Sequence, residues 1–219
     1  MTITFFTLFP EYFDSVLQTS ILKRAQEHAS VTFECWNIRD YATDKHKVTD
    51  DRPYGGGAGM VLKVEPLTKA ILAWQEKYQG QKNYVVATAA SGNVFTQQKA
   101  ATLKDYANLA IVCGHYEGID QRVLDNLVDE EIRIGDYVLT GGEPAAAVIT
   151  DAIVRLIPGV VGNEQSIQGE SHELEGSGNY PQYTRPAEFN GWQVPQVLQQ
   201  GNHQEIRDWR EANRKKIPD

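Results

Sequence analysis

Along the first 157 residues, short runs of β-branched and aliphatic side chains alternate with runs of helical periodicity, and this alternation narrows the possible folds most. Residues 2–8, 31–36, 83–88, 109–113 and 131–134 are predicted as strands, and 11–27, 66–79, 97–106, 119–127 and 145–157 as helices. Strands separated by helices belong to an α/β layer with a mostly parallel sheet. After Pro158-Gly159 the pattern is lost: residues 160–180 are polar and glycine-rich, which predicts a linker or flexible lid. Helical character returns over 195–200 and 204–216. The expected organisation is a domain over 1–160, a linker over 161–180 and a small helical C-terminal domain over 181–219. A piece of about forty residues rarely folds alone, so it is expected to lean on a partner surface.

The most informative local stretch is Ile132-Arg133-Ile134-Gly135-Asp136-Tyr137-Val138-Leu139-Thr140-Gly141-Gly142-Glu143-Pro144. An aliphatic segment runs into a Gly-Gly pair, and a proline then opens an Ala-rich helical run. Adjacent glycines allow positive φ and let a flat ligand lie against bare main chain. Proline suits the first helical turn, where its missing N–H is not needed. The stretch therefore reads as a loop that wraps a small molecule with backbone groups, although a plain strand-to-helix connection has the same outline. A phosphate cradle is excluded, because neither Gly-Lys-Ser/Thr nor G-x-G-x-x-G is present here.

Hydrophobic residues make up 41% of the 219, enough for a proper core. The two cysteines, Cys35 and Cys113, stand in no CxxC or His-rich setting, which argues against a disulfide framework or structural zinc, and no metal ligands are expected. The apolar N-terminus has no basic leader and is interrupted by Pro10 and Glu11, so it reads as a strand and not a signal peptide. No run approaches the roughly 18 apolar residues of a membrane span, and a cytoplasmic location with no membrane partner is expected. The net charge of −8 is mild evidence against RNA binding, but Arg207, Arg210, Arg214, Lys215 and Lys216 gather near the C-terminus.

Further segments carry a likeness: Leu8-Phe9-Pro10-Glu11, Asp50-Asp51-Arg52-Pro53-Tyr54-Gly55-Gly56-Gly57-Ala58-Gly59-Met60, Cys113-Gly114-His115-Tyr116-Glu117-Gly118-Ile119-Asp120-Gln121-Arg122-Val123, Arg155-Leu156-Ile157-Pro158-Gly159, Tyr183-Thr184-Arg185-Pro186 and Gly201-Asn202-His203-Gln204-Glu205-Ile206-Arg207. With 132–144 they resemble, in the same order, the bacterial tRNA (guanine-N1)-methyltransferases of the SPOUT superfamily. Those proteins modify the guanine just 3′ of the anticodon.

The resemblance implies a deep trefoil knot formed from about residues 88–142 and S-adenosylmethionine as methyl donor. The donor residues it points to are Thr88, Ala89, Gly114, Tyr116, Glu117, Ile134, Gly135, Asp136, Tyr137, Val138, Leu139, Gly141 and Gly142, with Ala90 completing the third side. Asp51, Arg52, Gly57, Gly59 and His203 are implied to face the tRNA, and His115 and His46 read as RNA-contacting or surface residues, not metal ligands. Two departures stand out: Thr88-Ala89-Ala90-Ser91-Gly92 replaces the commoner Leu-Ser-Pro, and the leucine usual before Pro144 is absent. Members act as homodimers with an active site between subunits, and a Mg²⁺ requirement is suggested.

Guanine N1 carries a proton, so methylation needs a base near N1 and a cation or fixed donor near O6. The resemblance gives the second task to Arg155, a position where an arginine otherwise complements a helix dipole. For the base, an ungapped count from Pro158-Gly159-Val160 reaches Glu170, followed by Ser171. A count back from Tyr183-Thr184-Arg185-Pro186 reaches Ser171, so a one-residue insertion lies between, and Glu170 is taken as the base. A donor- or RNA-binding relative without catalysis, or a knotted methyltransferase for another RNA position, are the alternatives.

Overall fold

The computed structural model describes residues 1–29, 31–162, 171–172 and 177–217. The chain divides into two compact units, Met1–Gly162 and Asn163–Asp219. The first is built on five parallel strands, β1 (Thr2–Thr7), β2 (Thr32–Asn37), β5 (Asn83–Val94), β6 (Asn108–Val112) and β7 (Glu130–Arg133), in the order β2-β1-β6-β5-β7. A two-residue antiparallel ladder, β3 (Asp50–Asp51) with β4 (Val61–Leu62), stands apart from this sheet.

Strand periodicity explains the layers. Ile3 and Phe5 of β1, with Leu109 and Ile111 of β6, point into one core; Phe6, Leu8, Ala110 and Val112 point into the other. The first core is closed by α1 (Tyr12–Leu17), α2 (Ser20–His28), α4 (Gln97–Leu103) and α6 (Glu143–Val154). The second is closed by α3 (Val64–Lys77) and α5 (Gln121–Leu127). Covered on both faces, the central strands carry continuous apolar runs, as parallel strands do. The one large polar demand in the second core is met when Trp74 Nε1 donates to Thr4 Oγ1 at 2.9 Å.

Several elements differ from the sequence reading, among them α4, which ends at Leu103, and the C-terminal piece, which holds a hairpin and a helix that ends at Ala212. The helix expected over 11–27 is two, because Thr19 adopts an extended conformation, its hydroxyl donates to Ser15 O at 2.6 Å, and Ser20 takes a φ of 50°. A hydroxyl that bonds back to the chain competes with helical continuation. The strand expected over 83–88 runs on to Val94, with a register break: Thr88 and Asn93 both pair with Ile132, and 89–92 form an excursion between them. The helix expected from Ala145 starts at Glu143, with Pro144 in its first turn.

The second unit holds a hairpin, β8 (Glu188–Phe189) with β9 (Trp192–Gln193), a short 3-10 turn over Gln196–Leu198 and α7 (His203–Ala212). Asn190 and Gly191 at the hairpin tip both have positive φ, the requirement of a two-residue turn that follows the strand twist. Asn202 caps α7 by accepting from the backbone N–H of Gln204 and Glu205. Tyr183 meets Trp209 with ring centroids 6.3 Å apart, and the Arg210 guanidinium lies 4.9 Å over Tyr180. Among the described residues of this unit no apolar side chain reaches the burial of the first unit's core.

Candidate functional site

The loops leaving the carboxyl ends of β5, β6 and β7 enclose a cavity of about 440 Å³, at the edge where parallel sheets place their ligands. One wall is Thr88 to Ser91, the excursion in β5; the second is Gly114 to Ile119; the third is Ile134, Gly135 and Tyr137 to Gly142. Gln121 and Leu124 of α5 and Ala145 of α6 complete it.

The glycine pair is needed for closeness and not for positive φ. Gly142 has φ −82°, and Gly141 is likewise outside the left-handed region, contrary to one half of the expectation from sequence. A Cβ on Gly142 would collide with Thr88 Oγ1 and stand 2.6 Å from Gly114 N; one on Gly141 would stand 2.6 Å from Glu143 Oε2 and 2.8 Å from His115 Nδ1. A Cβ on Gly114 would stand 2.6 Å from Thr88 O. These three glycines are where bare backbone from separate loops meets. Gly142 N donates to Gly114 O at 2.7 Å, and Gly114 N to Thr88 Oγ1 at 3.0 Å, so one hydroxyl and one carbonyl tie all three walls together. Beneath them Glu143 is buried at the start of α6, where a carboxylate suits the helix dipole, and accepts from Thr7 Oγ1 at 2.7 Å. Burial, and then the charge of Glu143, pushes the Cys113 thiol well above its ordinary value, so it is no nucleophile.

Of the residues marked out for the donor, Thr88, Ala89, Gly114, Tyr116, Glu117, Ile134, Gly135, Tyr137, Val138, Leu139, Gly141 and Gly142 line this cavity. Asp136 does not: it is exposed and pairs with Arg133 Nε at 2.9 Å. The rim is apolar and open, with Tyr116 at φ 60° and Val138 84% exposed. Ser91, His115, Gln121, Arg133 and Thr140 also line it; they stand inside the quoted motifs but not among the residues marked for the donor, and the register break and loop packing bring them there. His115 departs from the surface reading: it packs 5.2 Å from the Phe9 ring, and its Nδ1 is buried with no hydrogen-bond partner among the described residues.

The Asp51–Gly59 region reaches the cavity's edge from outside. Glu117 N donates to Met60 O at 2.9 Å and Leu62 N to Gly118 O at 2.9 Å, while a Cβ on Gly59 would meet the Glu117 side chain at 2.5 Å. Gly55, Gly56, Gly57 and Gly59 all have positive φ, and Asp51, Arg52 and Tyr54 are exposed. Asp51, Arg52 and Gly57 are therefore not brought into the cavity itself. Arg155 caps the C-terminal end of α6, about 20 Å from Gly142 at a rise of 1.5 Å per residue, and is not a lining residue. His203 opens α7 in the second unit, exposed. Glu170 lies outside the described residues. Among the described residues no group of three or more His, Cys, Asp or Glu side chains is placed to hold a metal ion, and no helix is long and apolar enough to cross a membrane.

Comparison with known proteins agrees with this geometry. The chain is 51% identical over 210 residues to a tRNA (guanine-N(1)-)-methyltransferase of Halalkalibacterium halodurans, covering 96% of this chain and 85% of that protein. It is 51% identical to the protein of that name from Carboxydothermus hydrogenoformans, covering 96% and 81%, and 51% identical to that of Staphylococcus aureus, covering 96% and 84%. Residues 1–217 match the family described as tRNA (Guanine-1)-methyltransferase TrmD. A cavity edged by close-packed glycines at the carboxyl ends of a parallel sheet, with a likeness that runs almost end to end, makes this chain a member of the tRNA (guanine-1)-methyltransferase family.

Proposed function

We propose that the chain methylates N1 of the guanine just 3′ of the anticodon in tRNA, in the cytoplasm, with S-adenosylmethionine as donor. The observation that carries this reading is the cavity whose walls meet at Gly114, Gly141 and Gly142, because the absence of Cβ atoms there lets three loops close together around one ligand-sized space lined largely by backbone. Its size suits a nucleoside-sized ligand. When bound, the sulfonium donor supplies the methyl group. The chain's own task is to hold guanine, take the N1 proton and balance charge at O6. Glu170 is the proton acceptor and Arg155 the cation for O6.

The distance of Arg155 from the cavity supports a homodimer in which each site draws its catalytic groups from a second copy. The exposed apolar rim formed by Tyr137, Val138 and Leu139 supports the same arrangement. In this reading 1–160 is the knotted donor domain and 181–219 the tRNA-contacting one. Residues 177–217 hold six Lys and Arg against four Asp and Glu, in a chain of net charge −8, and expose Phe189 and Trp192, a setting for anionic, unstacked RNA. Asp51, Arg52, Gly57, Gly59 and His203 face the substrate. Among the described residues no group of three or more His, Cys, Asp or Glu side chains is placed to hold Mg²⁺.

Transfer of label from donor to tRNA transcripts with and without guanine 3′ of the anticodon tests the reading. Transfer only to the first kind is expected; none to either overturns it. Glu170→Gln should lower turnover by about 10²–10⁴, the usual worth of a positioned general base, while Glu173→Gln changes little.

A further inference from the structure

Arg133, the last residue of β7, spans two walls of the cavity. Its Nη1 donates to Gly92 O at the end of the β5 excursion, and its Nε donates to Asp136 Oδ1 at 2.9 Å in the third wall. Its own backbone is fixed, since it pairs with Val94 and its carbonyl accepts from Phe95 N at 2.8 Å. The excursion is Ala89-Ala90-Ser91-Gly92, four small residues with no proline to restrict φ. Its far end cannot drift into β7, because Gly92 already rests on it: a Cβ there would stand 2.5 Å from Glu131 C and Ile132 N. Outward drift is opposed by the guanidinium. Asp136 is 88% exposed, so the ion pair adds little stability in itself; its effect is to fix where the third wall stands.

We propose that Arg133 is a positioning residue for the methyl donor, a strap that sets the gap between the 88–92 and 134–139 walls before the ligand enters. This rests on the donor reading above. Ordering both walls in advance removes an entropy loss from binding, so the strap acts on donor affinity and leaves the chemistry alone. Arginine suits the task because its planar fork serves two acceptors in different directions, which a single ammonium cannot do.

The test is calorimetric titration of S-adenosylhomocysteine into wild type, R133S, R133K, D136A and R133S/D136A, with donor KM, kcat and ligand-free melting temperature for each. R133S should weaken binding and raise KM about tenfold, the loss of a charge-assisted hydrogen bond, with kcat at saturating donor within about twofold. R133K, whose ammonium can serve only one of the two acceptors, should recover in part, to between about threefold weaker than wild type and the R133S value. D136A removes an exposed carboxylate and keeps the fold; it should weaken binding about threefold, and R133S/D136A should be no worse than R133S, since both act through one contact chain. R133S binding within twofold of wild type, additive losses in the double variant, or a fall in kcat at unchanged KM would each overturn the strap. Wild type that fails to bind S-adenosylhomocysteine removes the donor reading itself, whereas wild type that binds beside indifferent variants removes the strap alone.

Discussion

Replacing Gly142 by alanine isolates the close approach on which the cavity depends. Gly142 sits at φ −82°, ψ −11°, where alanine is at ease, so backbone strain contributes nothing. What remains is steric. The added methyl would overlap Thr88 Oγ1, stand 2.6 Å from Gly114 N and 2.9 Å from Cys113 Cα, and two of these three neighbours are backbone that cannot rotate away. Overpacking of this kind costs about 1–3 kcal/mol, and the lower entropy of the unfolded alanine chain returns about 0.4–1 kcal/mol. A net loss of about 1–2 kcal/mol lowers the melting temperature of a domain this size by about 2–8 °C. The effect on ligand should be larger, because relief requires Gly114 to move away from Gly142 and the hydrogen bond between them, 2.7 Å long, joins two walls. S-adenosylhomocysteine affinity, read by calorimetry, should fall at least tenfold, about 1.4 kcal/mol. Gly80→Ala is the control: at φ +79° with nothing within 4 Å it is strained but far from the walls, so it should lower stability and leave affinity unchanged. Adding Thr88→Ala to Gly142→Ala should recover part of the stability by removing one overlap. An alanine at 142 that melts within a degree of wild type and binds within twofold would refute the close-packing account.

Other expectations follow from burial and charge. Burial, then the charge of Asp14, raises the Cys35 thiol to about 11, and full burial holds the Cys113 thiol well above its ordinary value, so iodoacetamide should modify neither in the native protein at pH 8 and both in urea. Although burial raises the Glu130 carboxyl, hydrogen bonds from Lys99, Asn93 and Tyr84 carry it below its ordinary 4.5; its stabilisation is present above that value and lost as pH falls through the lower folded one. Glu130→Gln should therefore reduce stability at pH 7 and flatten the decline below about pH 4.5, seen in urea melts across pH, and an unchanged acid limb would count against the assignment. Light scattering at micromolar concentration should report a dimer, and a fully active monomer would remove the shared site.

The α/β layering of the first unit was legible because short apolar strand runs, such as Ile3 to Leu8 with Ile3 and Phe5 on one face and Phe6 and Leu8 on the other, alternate with helical spacing, and both are local patterns that burial on two faces enforces. Asn202 at the start of α7 and Asn190-Gly191 at the hairpin tip are likewise local signals, the one of a helix cap and the other of a two-residue turn. The stretch from Ile132 to Pro144 reads, from its own residues, either as a ligand loop or as a plain strand-to-helix connection, and the segments that carry the family likeness favour the first. What only the tertiary structure decided is why those glycines are there. Sequence offers glycine as freedom of φ, yet Gly141 and Gly142 do not use positive φ; they are glycine because His115, Thr88 and Gly114, far away along the chain, come within a Cβ's reach. The same holds for Arg133, which reads as an ordinary strand-end charge until the β5 register breaks at Thr88 and brings Gly92 back against β7. Local torsion and periodicity are written in neighbouring residues, whereas close approach between loops is a property of distant pairs, and no window along the chain contains both members.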